Sequence, residues 1–429
     1  MRIVFLTPGT GSYHCGACMR DNALARALHG AGCDVSLLPM YLPLRLDDEP
    51  FGGAAPVFFG GINVMLQHRW ALFRRTPRWL DRWLDRPWLL RGAARHGHLT
   101  SARGHGAMTL AMLRVEQGPL GKELDRLAGW LAGEAPDVVC LSTVLLAGMI
   151  RELKRRLGGV KVIACLQGED SFLDRLPEPF RGACWRELAE RVGEADALVA
   201  PSRYYAGLMG GRLGPGAAAI EVIPNGVDLE VYQPGPAPGG PPVVGFLARM
   251  TRDKGVDVAV DAFIHLRTVL GERRARLCVA GAVTAGDRRL VGALRRRLAR
   301  AGLAGEAEWL PNIDRAAKLA VLRSLSLFSV PAVYPEAFGL YLAEALACGV
   351  PVVQPAAAAF PELVGGAGVL VAPGDAAALA RAWHGLLGDP GRLGALRVAA
   401  RRAAEERLGM AVARDGYLAL ARRVCGGAG

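Results

Sequence analysis

Two carboxylates eight residues apart, Glu336 and Glu344, bracket the segment Ala337-Phe-Gly-Leu-Tyr-Leu-Ala343. Glu336 lies in an approach loop, and the pattern from Phe338 onward predicts a helix that stops at Gly349. The first turn of a helix leaves N–H groups without partners and carries the positive end of the dipole, which suits a phosphate. Helical side chains lean toward the N-terminus, so Glu344 points back toward the same tip. Carboxylates repel phosphate but accept hydrogen bonds from hydroxyls. The pattern therefore fits a diphosphate with hydroxyl-bearing groups at both ends, the layout of a nucleotide-sugar. By themselves, two glutamates near a helix start also fit a solvated face.

A second group of charges sits in Gly245-Phe-Leu-Ala-Arg-Met-Thr-Arg-Asp-Lys-Gly255, where an apolar strand ends and a loop turns into a helix. Ligands gather at the carboxyl ends of strands in open α/β folds. Arg249 offers a planar fork for phosphate and Lys254 a mobile point charge. The alternative is two surface cations in a chain with 52 Lys and Arg.

These motifs, with Ile223-Pro-Asn-Gly-Val-Asp228, Pro361-Glu-Leu-Val364 and Gly368-Val-Leu-Val-Ala-Pro-Gly-Asp375, resemble the family 4 glycosyltransferases, retaining enzymes of the GT-B fold with a Glu-x7-Glu signature. The resemblance runs from about Arg2 to Asp375 and is strongest from Val243 onward. It implies transfer of a sugar from a nucleotide diphosphate to an acceptor hydroxyl with retained configuration. Glu336, Arg249 and Lys254 would be the catalytic set. Gly16, Gly281, Phe338, Gly339, Leu340 and Glu344 would bind the donor, Glu344 through its ribose. Relatives carry His-Gly-x-Asp where this chain reads Gln167-Gly-Glu-Asp170, so Gln167, Glu169 and Asp170 become the candidates for sugar or acceptor. Gln can hydrogen-bond a hydroxyl but cannot take up a proton near neutral pH. Cys15 stands where relatives have the first glycine of a pair, with Gly16 the second, and Ser326 stands where many have Asp. Glu362 and Asp375 read as helix-start residues, and Leu310-Pro-Asn312 lies where relatives hold the base. No Asp-x-Asp motif stands at a strand end, and no metal or other cofactor is implied.

Rival readings are a nucleotide-sugar epimerase of the same fold and a non-catalytic binder of sugar nucleotides or membrane. Gly9-Thr-Gly11 suggests a dinucleotide fingerprint, but His14 replaces its third glycine. Cys15-x-x-Cys18 beside His14 reads as a metal or redox pair or as a thiol-rich loop, with no second ligand pair in view.

The elements that must position these residues alternate in type. Strands are expected at Arg2–Thr7, Asp34–Leu38, Asp137–Leu141, Lys161–Leu166, Ala197–Ala200 and Ala219–Ile223, with helices such as Met19–Gly30 and Leu145–Leu157 between. The alternation restarts at Val243–Leu247, Arg276–Ala280, Glu308–Leu310, Leu327–Val330, Val350–Val353 and Val369–Val371. Between the two series, Tyr232–Pro242 is too rich in Pro and Gly for helix or central strand. The fold class is α/β: two Rossmann-like doubly wound parallel sheets facing a cleft. The domains are 1–235, with an insert at about 40–131 that opens on a strand pair near Pro56–Leu66, and 243–405; the resemblance implies that 406–429 crosses back to the first domain.

The 429 residues suffice for two cores, and the nine scattered cysteines suit a reducing, cytoplasmic setting more than a disulfide framework. The N-terminus reads as a strand, not a leader, and the longest apolar run, Val138–Ile150, is too short to span a bilayer. The charge of +12 calls for anionic partners: nucleotide-sugars or anionic lipid, with nucleic acid the weakest fit. Within Gln67–His98, four of the eight tryptophans lie among arginines, which suits either a peripheral helix on the inner face of a membrane or an aromatic helix packed on its own domain. The expected acceptor is a lipid or saccharide of the cell envelope.

Overall fold

The computed structural model describes residues 1–9, 16–42, 50–52, 57–59, 66–67, 76 and 102–426. The chain forms two compact units, Met1–Ile223 with Ala413–Gly429, and Pro224–Val412. The expected break at the Pro/Gly stretch thus falls inside the second unit. The stretch is tied there: Arg323 donates to the carbonyls of Val231 and Gln233 at 3.3 and 3.1 Å, and Arg401 to that of Tyr232 at 2.8 Å.

The first unit holds a parallel sheet of β1 (Arg2–Thr7), β2 (Asp34–Pro39), β3 (Val138–Leu141), β4 (Lys161–Cys165), β5 (Ala197–Ala200) and β6 (Ile220–Val222), in the order β2-β1-β3-β4-β5-β6. β1, β3, β4 and β5 are near-continuous apolar runs and are buried almost throughout. That is the expected composition for strands covered on both faces by crossover helices. The chain goes outward from β1 to β2 and returns to the other side of β1 at β3, so the order reverses between β1 and β3.

The second unit repeats the plan with β7 (Val243–Leu247), β8 (Arg276–Gly281), β9 (Ala307–Pro311), β10 (Leu327–Phe328), β11 (Val352–Pro355) and β12 (Gly368–Val371), ordered β12-β11-β10-β7-β8-β9. Here the reversal lies between β7 and β10. At such a switch point the loops leaving two neighbouring strands part in opposite directions and open a crevice at the carboxyl ends. The Arg249–Lys254 loop leaves β7, and the Glu336 loop leaves β10.

Two expectations are corrected. The helix over Leu145–Leu157 is divided into a 3₁₀ segment, Val144–Met149, and an α-helix, Ile150–Leu157. The cause is close packing: a Cβ on Gly148 would lie 2.3 Å from the Met112 carbonyl oxygen, so this segment runs against the end of helix Ala102–Leu113. Of the strand pair near Pro56–Leu66, the described residues form no strand: Val57–Phe59 is irregular, and Leu66 and Gln67 are helical. Buried Glu123 holds both ends, accepting from the Phe59 amide at 3.3 Å and from Gln67 Nε2 at 2.9 Å. The remainder of that pair, with His14, Cys15 and the tryptophans and arginines of 67–98, lies outside the described residues.

The last helix, Met410–Gly426, belongs to the first unit from Ala413 onward. It buries Ala413, Tyr417, Leu418, Leu420 and Ala421. Tyr417 Oη lies 3.2 Å from Cys165 Sγ at the end of β4, and Arg423 pairs with Glu221 at 2.6 Å. No helix among the described residues is long and apolar enough to cross a membrane.

Candidate active site at the switch point of the second sheet

Lys254 ends a single 3₁₀ turn, Arg252–Lys254, that the chain leaves through Gly255 at φ +72°. Only glycine fits there, because a Cβ would lie 1.9 Å from the Pro331 carbonyl oxygen. The β7 loop is thereby pressed against the β10 loop, and the Val333 amide donates to the Asp253 carbonyl at 3.0 Å. The pairing carries the Lys254 ammonium to Glu336, where it donates to Oε1. Two tyrosines complete the group. Tyr341 Oη donates to Glu336 Oε1 at 2.7 Å, and Tyr334 Oη to Oε2 at 2.9 Å. Lys254 Nζ also lies 4.8 and 5.3 Å from the centroids of the Tyr334 and Tyr341 rings. Glu336 is 5% exposed, so its charge is met almost wholly by protein donors. Burial first, and then the neighbouring Glu336 charge, push the Tyr341 hydroxyl well above the usual phenol range. Tyr341 is therefore a proton donor that keeps its proton.

The tip of helix Leu340–Ala347 begins beside this group. Its N-cap is Gly339 at φ +88°, with no side-chain cap. The Leu342 amide bonds back to the Gly339 carbonyl at 2.9 Å, and no side chain caps the amides of Leu340 and Tyr341 before it. Phe338 is buried and so presents backbone there, while Leu340, the first helical residue, is half-buried. Further along, Glu344 is 6% exposed and accepts at Oε1 from Lys318 Nζ at 2.8 Å and Tyr232 Oη at 2.7 Å.

Arg249 stands apart from the Lys254 group. It is exposed and held by Asp287 at 3.4 to 3.5 Å. Partial burial works against ionisation of Asp287, but hydrogen bonds from Thr284 and the Arg249 charge hold its carboxyl below the usual range. Gly281, at φ +135°, is required by the protein itself: a Cβ would lie 2.0 Å from the Ala248 carbonyl oxygen. Asn312 spans the β8 and β9 loops, its amide side chain bonded to both backbone groups of Val283 at 2.9 and 3.2 Å. Asp375 caps helix Ala376–Leu387 through the Ala378 amide, Glu362 lies in the first turn of helix Phe360–Val364, and Ser326 Oγ accepts from the Val243 amide at 3.2 Å. Asp375 and Ser326 thus act within the scaffold.

In the first unit, Gln167, Glu169 and Asp170 follow β4 at the carboxyl end of the sheet. Both carboxylates are 5% exposed and turn inward. Glu169 accepts from Thr143 Oγ1 and from the Gln167 amide, each at 2.6 Å, and burial pushes its carboxyl above the usual range. Tyr205 Oη donates to Asp170 at 2.9 Å and accepts from the Gly168 amide at 3.0 Å. The pair thus fixes the loop that presents Gln167. Gly16, exposed, opens helix Gly16–Gly30; a Cβ there would meet nothing within 4 Å, so the fold does not demand glycine. Cys18 is a buried thiol near the start of that helix, and no group of metal-ligating residues occurs among the described residues.

Sequence reasoning missed Tyr334, Tyr341, Lys318 and Tyr232. The two tyrosines at positions −2 and +5 from Glu336 were a local signal. Lys318 and Tyr232, 26 and 112 residues from Glu344, gave none.

The profile described as "Glycosyl transferases group 1" matches residues 241–389, and "Glycosyltransferase Family 4" matches 112–231. A D-inositol 3-phosphate glycosyltransferase of Nocardia farcinica is 32% identical over 55% of this chain and 53% of its own length. One from Xylanimonas cellulosilytica is 32% identical over 66% of each chain. A GDP-mannose-dependent alpha-(1-6)-phosphatidylinositol monomannoside mannosyltransferase of Mycolicibacterium smegmatis is 29% identical over 59% of this chain and 68% of its own. The chain thus spans about half to two thirds of the length of the curated relatives it matches. Among solved structures, sucrose-phosphate synthase from Thermosynechococcus elongatus superposes over 100% of both chains with TM-score 0.72 at 17% identity. Anabaena HepE in complex with UDP superposes over 98% of this chain and 99% of its own, with TM-score 0.68 at 18% identity. At these identities the structural likeness establishes the two-domain α/β GT-B fold.

Proposed function

The chain belongs to the family 4 glycosyltransferases, and from that premise we propose that it is a retaining glycosyltransferase, moving a sugar from a nucleotide diphosphate to an acceptor hydroxyl. The observation that carries this reading is the joining of Lys254 and Glu336 at the switch point of the second sheet, beside an uncapped helix tip. A diphosphate seated at that tip draws on the first-turn amides, on Lys254 and on Arg249. These donors stabilise the charge that grows on the leaving phosphate as the bond to the anomeric carbon breaks. The acceptor oxygen bonds to that carbon on the same face, and its proton passes to the departing phosphate oxygen. Glu336 accepts from hydroxyls of the donor sugar and Glu344 from those of the ribose, displacing part of its Lys318 and Tyr232 pairing. The positive charge comes from side chains and amides, so the step calls for no resident metal or other cofactor. Gln167, presented by the Glu169–Asp170–Tyr205 group, serves as a neutral hydrogen-bonding partner for sugar or acceptor.

The nucleotide-sugar reading is supported by HepE, whose structures hold UDP and UDP-glucose. A lipid or saccharide acceptor in glycolipid or polysaccharide synthesis is in keeping with the phosphatidylinositol monomannoside named for one relative. Work at the inner face of the membrane is in keeping with the chain's charge of +12. The test is a panel of UDP-, GDP- and ADP-sugars with lipid and oligosaccharide acceptors, analysed for configuration of the product. Glu336→Gln and Lys254→Ala, folded as judged by circular dichroism, are expected to lose transfer. Undiminished transfer in both would sink the site assignment, and a donor isomerised without any acceptor would point to an epimerase instead.

A further inference from the structure

Helix Arg288–Arg300 follows β8 and carries six arginines and no acid: Arg288, Arg289, Arg295, Arg296, Arg297 and Arg300. Its buried side is made by Leu294 and Leu298, each 1% exposed. Arg297 is paired with Asp261. The other five are exposed, and at 100° per residue they fall on one outward arc of about 140°. Between them on that arc stand only Gly292 and Ala299, which add no bulk and no counter-charge. None of the five has an ion-pair partner among the described residues. Asp287, which precedes the helix, is paired with Arg249, and Asp261 is paired with Arg297. Half-buried Leu290 and Val291 flank the arc.

We propose that this arginine face is a docking surface for an anionic lipid bilayer. Five uncompensated guanidinium groups repel one another unless anions approach, and guanidinium pairs with phosphate oxygens through two donors at once. The face is one convex helix rather than a groove, which matches a flat field of headgroups. Nucleic acid fits less well. Binding bases calls for stacking rings or amide side chains, and here the neighbouring ring of Trp309 is covered by Arg295 at 5.5 Å. The surface is separate in the chain from the 67–98 segment and does not rest on the transferase reading.

The test uses the full-length protein and co-sedimentation with vesicles of phosphatidylcholine containing about one third phosphatidylglycerol. Each arginine held at such a surface raises partitioning about fivefold. The triple variant Arg289→Gln, Arg296→Gln, Arg300→Gln is therefore expected to bind roughly a hundredfold more weakly, while Lys at the same three positions restores most of the affinity. Donor hydrolysis by either variant should be unchanged, because none of the three touches the site group. Binding by the glutamine variant equal to wild type would overturn the proposal and shift the contact to another segment. Wild-type binding with no preference for phosphatidylglycerol over pure phosphatidylcholine would overturn it as well. So would duplex RNA captured through the same three arginines while vesicles are ignored.

Discussion

Glu336 is a carboxylate whose donors arrive from two loops, and its surroundings set what each substitution does. Tyr341 supplies a charge-assisted hydrogen bond from a buried hydroxyl whose proton is held far above neutrality. Tyr341→Phe keeps the ring beside Lys254 and removes only that bond. It should lower kcat/KM about tenfold, the equivalent of about 1.4 kcal/mol, with folding intact. Steady-state kinetics on the donor identified by the sugar panel checks this, and unchanged kinetics would make Tyr341 a packing residue. Glu169 makes the opposite kind of prediction. Its folded-state carboxyl is raised by burial, so across the window above the ordinary Glu range the native state holds more protons than the unfolded chain. The contribution of this group to stability therefore falls as pH rises from its unfolded value through its raised folded value. Urea midpoints from about pH 4 to pH 8 should decline less steeply for Glu169→Gln than for wild type across that window. Parallel curves would place the proton elsewhere.

At the scale of elements, the loops at the carboxyl edge of the second sheet are held by backbone-to-backbone approach. Gly255 and Gly281 each face a carbonyl oxygen at a distance no Cβ tolerates. Gly281→Ala should cost roughly 3 kcal/mol through strain and forced separation of the β7 and β8 loops. Thermal melting would show it. Helix Arg315–Ser324, which carries Lys318 to Glu344, is capped by Asp314 through the Ala317 amide at 2.8 Å. Asp314→Ala should cost about 1 kcal/mol and weaken nucleotide binding through the displaced lysine. A variant with lower stability but unaltered nucleotide affinity would separate the cap from the site.

At the scale of the whole molecule, the last helix serves the first unit although it follows the second in sequence. Tyr417 closes over Cys165 in a fully buried setting, and burial raises that thiol above its ordinary range. Removing residues 413–429 should expose Cys165 and its apolar surroundings, read as faster thiol labelling and a lower melting temperature. Labelling no faster than in the intact chain would show that the helix contributes little to closing the core.

Much of this was legible in the chain itself. β1, β5 and β7 lie where the apolar runs put them, and the other strands shift by a residue or two, because a strand covered on both faces is written as a local apolar run between turn residues. The family signature named Lys254 and Glu336, and the turn Pro373-Gly-Asp375 named Asp375 as the cap of the helix after it. Folding alone decided the rest. The carboxylates at 169 and 170 turn inward onto Tyr205, Arg249 is held by Asp287, and the helix expected at 145–157 is broken where Gly148 meets the Met112 carbonyl. Each depends on groups distant in sequence meeting at contact distance. Local spacing specifies which elements form, but only their packing brings Tyr232, Lys318 and Glu344 to a single carboxylate oxygen, because side-chain donors act over a few ångströms and sequence separation carries no such distance.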